Sequence, residues 1–232
     1  MTIVHVAEAG STNTDLLARA AAGIAGEGDW LVAGRQSAGR GRSGRTWASP
    51  PGNLYASGLV RLGTSDPPAP TLALVAGIAL IDALDVPGLV LKWPNDVLSA
   101  KAAKLAGVLL ERERDHVAIG IGVNLAHHPA LAARTTTSLA ALGLTIAPNA
   151  AIERIATAFA RWLSVWRATG LGVVRAAWLD RAHPLGTPLA AALPDASRLA
   201  GTFGGLSEDC ALRLVLPDGG VRVIHAGDVS LI

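Results

Sequence analysis

The sequence predicts an α+β fold in two parts. Residues 1–184 read as a mixed β-sheet with helices packed on it, and residues 185–232 as a small all-β unit. Three observations carry this. Up to about residue 124, apolar strand-like runs are interleaved with helical periodicity. Two further helical segments follow. Beyond "HPLG" at 183–186 only short β-like runs remain. Half of the 232 residues are hydrophobic and 16% are charged, which excludes a disordered chain and supplies a sizeable core.

Thr2 to Val6 reads as a first strand. "STNTDLLARAAAG" follows as a helix, with Ser11 or Thr12 at the N-cap, Asp15 in the first turn and Gly23 at the C-terminal end. "WLVAGR" and "NLYASGLVRL" are strands separated by a Gly/Arg loop, and "GTSDPPAP" is a turn cluster. Pro70 opens a helix that runs to about Leu84. That segment is apolar but short and holds Asp82, so it reads as a buried helix and not a membrane span. "LVLKW" is a strand stopped by Pro94. "LAGVLLER" and "HVAIGIGVNL" read as antiparallel neighbours.

From Ala150 to Thr169, Ile152, Ile155, Phe159, Trp162, Leu163 and Trp166 recur at helical spacing, which makes both tryptophans core residues. Gly170 stops the helix, and a second short one holds Trp178. Short β-like runs at 187–193, 198–203, 210–216, 221–225 and 228–232, with "LPDGGV" as a hairpin turn, predict a small barrel.

The single cysteine, Cys210, rules out an intramolecular disulfide and suits a reducing cytoplasm. No signal-like N-terminus is seen. No Cys/His cluster has zinc spacing, and His127-His128 reads as a solvated loop pair. The net charge of +2 gives no bulk argument for nucleic acid, but the distribution of charge is informative. Between Leu31 and Val60 every charged residue is an arginine (Arg35, Arg40, Arg42 and Arg45), with no acid in the segment to compensate. The three lysines, Lys92, Lys101 and Lys104, fall within thirteen residues. Asn13, Asn53, Asn95 and Asn124 each lie at the end of an apolar segment, where turns and binding loops form.

"GRGRSGRTW" at 39–47 matches the dinucleotide pattern G-x-G-x-x-G and nearly matches a phosphate loop, with Arg45 in place of lysine. Both motifs need a helix directly after the glycines to present free N–H groups to phosphate. "TWASPPGN" cannot supply one. What remains is a cationic loop between two strands. Glycine-rich backbone is costly to order, so the loop is expected to stay mobile until an anion binds, and arginine's planar fork suits phosphate and carboxylate. A solvated or RNA-binding turn is the plainer alternative.

Four other polar clusters follow in order: "STN" at 11–13, "KWPND" at 92–96, "AKLAGVLLE" at 103–111 and "GIGVN" at 120–124. With Gln36 through Trp47 (QSAGRGRSGRTW), Lys104 through Gly107 and Gly122-Val123-Asn124, they resemble the biotin protein ligase family across essentially the whole chain. "GDVSL" near the C-terminus is similar to that family's SH3-like module. The resemblance implies a class II synthetase-like catalytic domain, an SH3-like β-barrel, and a monofunctional enzyme without the N-terminal repressor domain of larger members. It implies two steps. Biotin and ATP give biotinyl-5′-AMP and pyrophosphate, and biotin then passes to a lysine of the biotin carboxyl carrier domain of acetyl-CoA carboxylase.

Residue by residue, the resemblance implies that Lys104, Arg42 and Asp96 are catalytic, with Lys104 contacting both the carboxyl group and the phosphate. Ser11, Thr12, Asn13 and Gln36 would meet the ureido ring, with Gly39, Arg40, Gly41, Arg42 and Gly107 also at biotin. Arg40, Arg42, Arg45, Trp47 and Lys92 would serve ATP and the adenylate, and Asn124 the adenine; pairing with Asp96 is the alternative for Lys92, and a core role that for Trp47. Asp96 would receive or orient the incoming lysine. Lys101 leaves open which lysine is catalytic, and Lys104 is preferred because Leu105-Ala106-Gly107 follow it. Mg²⁺ would enter with ATP, with no metal held by protein groups alone. No DNA or membrane partner is expected, and the chain is expected to be a monomer or weak homodimer. A lipoate or octanoate ligase is the nearest rival reading, and a nucleic-acid-binding protein the rival from another class.

Overall fold

The computed structural model describes residues 1–131 and 134–232. In chain order the elements are β1 (Ile3–Ala9), α1 (Thr12–Ala21), β2 (Trp30–Gln36), β3 (Leu54–Arg61), α2 (Leu72–Leu84), β4 (Val90–Lys92), β5 (Asp96–Leu98), β6 (Lys104–Glu113), β7 (His116–Val123), α3 (Pro148–Thr169) and α4 (Leu171–Asp180). They are followed by β8 (Pro188–Ala192), β9 (Arg198–Leu206), β10 (Leu212–Val215), β11 (Val221–Ile224) and β12 (Asp228–Leu231). The first seven strands form one mixed sheet in the order β1-β2-β3-β7-β6-β5-β4. Only β1 and β2 run parallel, joined through α1, and all other pairs are antiparallel.

The two faces of this sheet differ in side-chain size, and that difference positions the site. One face carries Val32, Ala56, Ile119, Ile121 and Val108 and packs against α2 and α3 in the main core. α2 is apolar almost all round, so it lies between sheet and outer helices, and each fully buried leucine contributes roughly 1.5–3 kcal/mol. Trp30 meets Phe159 of α3 edge-on, with ring centres 5.8 Å apart. The opposite face carries Ser57, Gly120, Gly122 and Gly107 in adjacent register positions. There α1 covers only one end, packing Leu16, Leu17 and Ala20 on Leu31, Leu59 and Ala118. The small residues leave the rest of that face open.

The last five strands make an antiparallel sheet in the order β11-β10-β9-β8-β12. Its apolar face, including Leu189, Phe203, Leu212 and Val229, is continuous with the main core. Two side chains tie it to the larger sheet: the indole of Trp93 donates to Cys210 O at 3.2 Å and the Lys92 ammonium to Val229 O at 2.6 Å, while Leu91 N donates to Arg181 O at the end of α4 at 2.7 Å. Cys210 is a free, buried thiol, and burial pushes its pKa up to about 11.

Several sequence expectations are corrected. Ser11 does sit at the N-cap of α1, but its side chain makes no capping bond, and Gly23 lies one residue past the C-cap. The helix expected from Pro70 begins with a 3₁₀ turn, and α2 proper starts at Leu72. α3 starts at Pro148, not Ala150. β5 was not anticipated, because "WPN" read as the end of regular structure. Trp166 is fully buried and donates to Thr71 Oγ1, but Trp162 is only half-buried. Its indole bonds to Asp82 Oδ2 at 2.8 Å, and the guanidinium groups of Arg161 and Arg181 lie over its ring. No helix among the described residues is long and apolar enough to cross a membrane.

Candidate active site

The open face of the large sheet is the floor of a cleft of about 980 Å³ whose other walls are the start of α1, the Gly/Arg loop, β8 and β12. Two glycines are required by close approach. A Cβ on Gly120 would come within 2.5 Å of Asn13 Oδ1, and one on Gly122 within 2.5 Å of the Trp47 ring. The β7 run "IGIG" thus alternates core side chains with empty positions that receive Asn13 and Trp47.

At the α1 end, polar groups bind one another in a fixed order. Thr12 donates to Gln36 Oε1 from its backbone N at 2.9 Å and from its hydroxyl at 3.1 Å. Ser57 Oγ lies 2.7 Å from both Thr12 Oγ1 and Asn13 Oδ1. Asn13 Nδ2 donates to Leu109 O at 3.1 Å. The network fixes the orientation of each amide and hydroxyl. Ser11 is buried with its hydroxyl uncommitted to the helix.

At the other end, three strands bring charges together. Register places Lys92 opposite Asp96, and Asp96 opposite Gly107. Lys104 opens β6 and is clamped by backbone bonds to Thr135 O and from Thr137 N, each 2.9 Å. Its ammonium bonds Asp96 Oδ1, while Lys92 Nζ lies 2.9 Å from Asp96 Oδ2 and donates to Val229 O of β12 at 2.6 Å. Burial alone would push the Asp96 carboxyl up, but the two ammonium groups outweigh it and hold the carboxyl at about 2. Burial lowers the Lys104 pKa against the pull of Asp96. Lys104 also lies 5.4 Å from the centre of the Trp47 ring.

The Gly/Arg loop closes the cleft as a small hairpin. Trp47 N donates to Gly39 O, Gly41 N to Arg45 O, and Arg40 pairs with Thr46. Its tip is a short 3₁₀ turn over Arg42–Gly44, and no α-helix follows. No acid lies within the segment, as the sequence shows, but acids from other parts of the chain reach it. Each arginine borrows an acid from elsewhere in the chain: Arg35 from Glu8, Arg40 from Glu111, and both Arg42 and Arg45 from Asp228 of β12. Arg45 Nη2 reaches both Asp228 oxygens at 2.8 Å, and Arg42 donates to Gly227 O at 2.9 Å and to Asn95 Oδ1 at 3.3 Å. Burial lowers the Arg42 pKa, and Asp228 and Asp96 oppose it.

Of the predicted site residues, all but Gly39 and Asn124 border the cleft. Gly39 packs behind the loop, where a Cβ would meet Trp47 O at 2.6 Å. Asn124 is buried behind the wall, its amide donating to Thr137 O at 3.0 Å. Lys101 is exposed at the rim whereas Lys104 is buried, which separates the two candidates by position. Ser57, Asn95, Glu111 and Asp228 were missed. Ser57 left a signal, as a polar residue inside an apolar strand run, and Asn95 stands in the cluster "KWPND" and at a segment end without being assigned a role. Glu111 ends the quoted run "AKLAGVLLE" and Asp228 lies in "GDVSL", but nothing in either string ties them to the arginines. Among the described residues no group of three His, Cys, Asp or Glu converges to hold a metal.

Residues 10–124 match the model of the biotin/lipoate A/B protein ligase family. The biotin–[acetyl-CoA-carboxylase] ligase of Paracoccus denitrificans is 38% identical over 97% of this chain and 98% of its own length. That of Mycobacterium tuberculosis is 37% identical over 97% of this chain and 86% of its own. The structure is similar to the biotin protein ligase from Aquifex aeolicus in complex with biotin and ATP, with a TM-score of 0.86 and 26% identity over all of this chain and 98% of that one. A Gly/Arg loop folded over a strand-mounted Lys–Asp–Lys cluster, on a chain alike in sequence from end to end, leads to one conclusion: the chain belongs to the biotin protein ligase family.

Proposed function

We propose that the cleft activates biotin with ATP to biotinyl-5′-AMP and transfers biotin to a lysine of the carrier domain of acetyl-CoA carboxylase. The observation that carries the reading is Lys104, a buried ammonium fixed by Asp96 between the polar α1 pocket and the arginine loop. In the first step a carboxylate oxygen attacks the α-phosphorus. A bond forms between them, the α–β phosphoanhydride breaks, and pyrophosphate leaves. Two anions must meet, and Lys104 lies where it offsets their repulsion as charge develops.

The ureido ring would sit among Ser11, Thr12, Asn13 and Gln36, whose mutual bonds present fixed donors and acceptors. A dithiolane has no groups to answer them, which favours biotin over lipoate. Arg42 and Arg45 would exchange Asp228 for phosphate oxygens, and Trp47 would cover apolar ligand surface. Mg²⁺ would arrive on ATP. The nearest carboxylates, Asp96 and Asp228, are both engaged by cations, so phosphate oxygens and water are its fitting ligands. In the second step the carrier lysine's neutral amine attacks the acyl carbon, the acyl–phosphate bond breaks and AMP leaves. A carboxyl held at about 2 is a weak base, so of the two roles open to Asp96 the geometry favours orienting the incoming lysine over taking its proton. Asn124, set behind the wall, would shape the adenine pocket. Residues 185–232 would act as a distinct module contributing β12.

The test is incubation of the purified chain with biotin, ATP and Mg²⁺, with lipoate as competitor, followed by addition of a carrier domain. Biotinyl-AMP and a biotinylated carrier are expected. Absence of the adenylate, or preference for lipoate, would sink the reading.

A further inference from the structure

The Gly/Arg loop is held at two ends by different means. Its tip leans on β12 through Arg42 and Arg45. At its base, Arg40 turns the opposite way. Arg40 Nη2 donates to Thr14 Oγ1 at 2.6 Å, in the first turn of α1, and to Glu111 Oε1 at 2.9 Å, near the far end of β6. Glu111 shares its pleat face with Gly107 and Leu109, the face on which the cleft is built.

Its second carboxylate oxygen, Oε2, is buried and has no partner among the described residues. An empty buried acceptor on a charged group is costly, and folds seldom retain one without use. The donor beside it is the Arg40 guanidinium, whose Nε and Nη1 make no hydrogen bond among the described residues. Guanidinium and carboxylate pair best as a fork, with two parallel bonds to two oxygens. Here only one oxygen is used, and the Arg40 side chain remains 45% exposed. Single-oxygen surface pairs of this kind contribute little.

We propose that Glu111 is a positioning residue that acts through Arg40. When the loop closes over the adenylate, the guanidinium rotates into a two-bond fork with both Glu111 oxygens while Thr14 steadies it. The base of the loop locks as the tip releases Asp228 for phosphate. The inference rests on the reading of the cleft as an adenylate-forming site, and it makes adenylate retention depend on a carboxylate that touches no substrate.

The experiment compares the parent with Glu111→Gln, which keeps size and one acceptor, and with Thr14→Val, after thermal melts establish that each folds. Tryptic cleavage after Arg42 and Arg45 is followed with and without biotin plus a non-hydrolysable ATP analogue. The parent is expected to gain protection from ligand, Glu111→Gln to lose most of that gain, and Thr14→Val to lose part. Glu111→Gln should release preformed biotinyl-AMP about fivefold faster than the parent and raise KM for biotin more than it lowers kcat. Combined with Arg40→Ala it should add nothing further, because both remove one fork. Equal protection and equal retention in Glu111→Gln and parent overturn the inference, as do effects of Glu111→Gln and Arg40→Ala that multiply. A parent that gains no protection and makes no adenylate defeats the reading of the cleft instead, so the two failures are distinguishable.

Discussion

Two sets of cations face the same cleft and are built in opposite ways. Lys92 and Lys104 stand on strands, are shielded from water, and share the single carboxylate of Asp96. Arg40, Arg42 and Arg45 stand on one loop, are more open to solvent, and borrow acids from β6 and β12. Burial makes the first set fixed, because separating a buried pair leaves an uncompensated charge in a low-dielectric site. Exposure makes the tip of the second set exchangeable, because water and a phosphate can take the place of Asp228 at small cost. The lysine cluster therefore suits the chemical step, and the arginines suit capture and retention.

The sharpest way to break this contrast is Lys104→Met. It removes the fixed charge at the point where two anions meet, so pyrophosphate exchange should fall at least about a thousandfold. Lys92 still holds Asp96, so the fold should survive, with a loss in urea unfolding smaller than the roughly 3–5 kcal/mol of a buried charge left with no partner. A variant within tenfold of the parent would move the chemical role elsewhere. The same cluster has a pH signature. The Asp96 carboxyl lies at about 2 in the fold against 3.8 unperturbed, so its stabilisation is present above about pH 4 and lost as pH falls toward 2. That shift corresponds to about 2 kcal/mol, and Asp96→Asn should flatten this part of the acid-unfolding curve.

Arg42→Ala tests the other half of the comparison. The loop would still carry Arg40 and Arg45, but the bonds to Gly227 O and Asn95 would be gone. The adenylate should escape at least about tenfold faster and biotinylate bystander lysines. Retention equal to the parent's would assign closure to the other arginines.

What the sequence disclosed follows the same division. Strands β6 and β7, helix α3 and the Lys104 region were legible, because periodicity and local motif spacing encode them. β5 was not legible, since a three-residue strand is defined only by its ladder to β4 and β6. Nor were the partners of the arginines. Glu111 lies 71 residues from Arg40 and Asp228 lies 183 from Arg45, so a segment that looks like an uncompensated +4 in sequence meets three acids in space, one of them shared by Arg42 and Arg45. Asn124 also depends on a distant partner: it follows the end of β7, and its amide donates to Thr137 O, thirteen residues on.

Gly122→Ala probes the floor that both sets share. The new Cβ would overlap the Trp47 ring, which must then shift away from Gly107 and Lys104. Adenylate formation should fall about tenfold, with a loss of about 1–3 kcal/mol from overpacking. Unchanged kinetics would mean that the ring moves aside in the working enzyme.

Asp228→Asn should have the smallest effect, and it asks what holds the tip of the loop. Arg45 makes two bonds to this carboxylate, but at the surface, where such pairs contribute about 0.2–1 kcal/mol. Without ligand, tryptic cleavage after Arg45 should be about two- to threefold faster than in the parent. Salt separates charge from backbone contacts. Raising sodium chloride from about 0.1 to 1 M shortens the screening length from about 10 to 3 Å, so parental cleavage should accelerate toward that of the variant. The variant, which lacks this ion pair, should respond much less. If parent and variant respond alike, the tip is held by Arg42 on the Gly227 carbonyl and not by the Asp228 carboxylate, and release of the loop to phosphate would then depend on breaking that backbone contact.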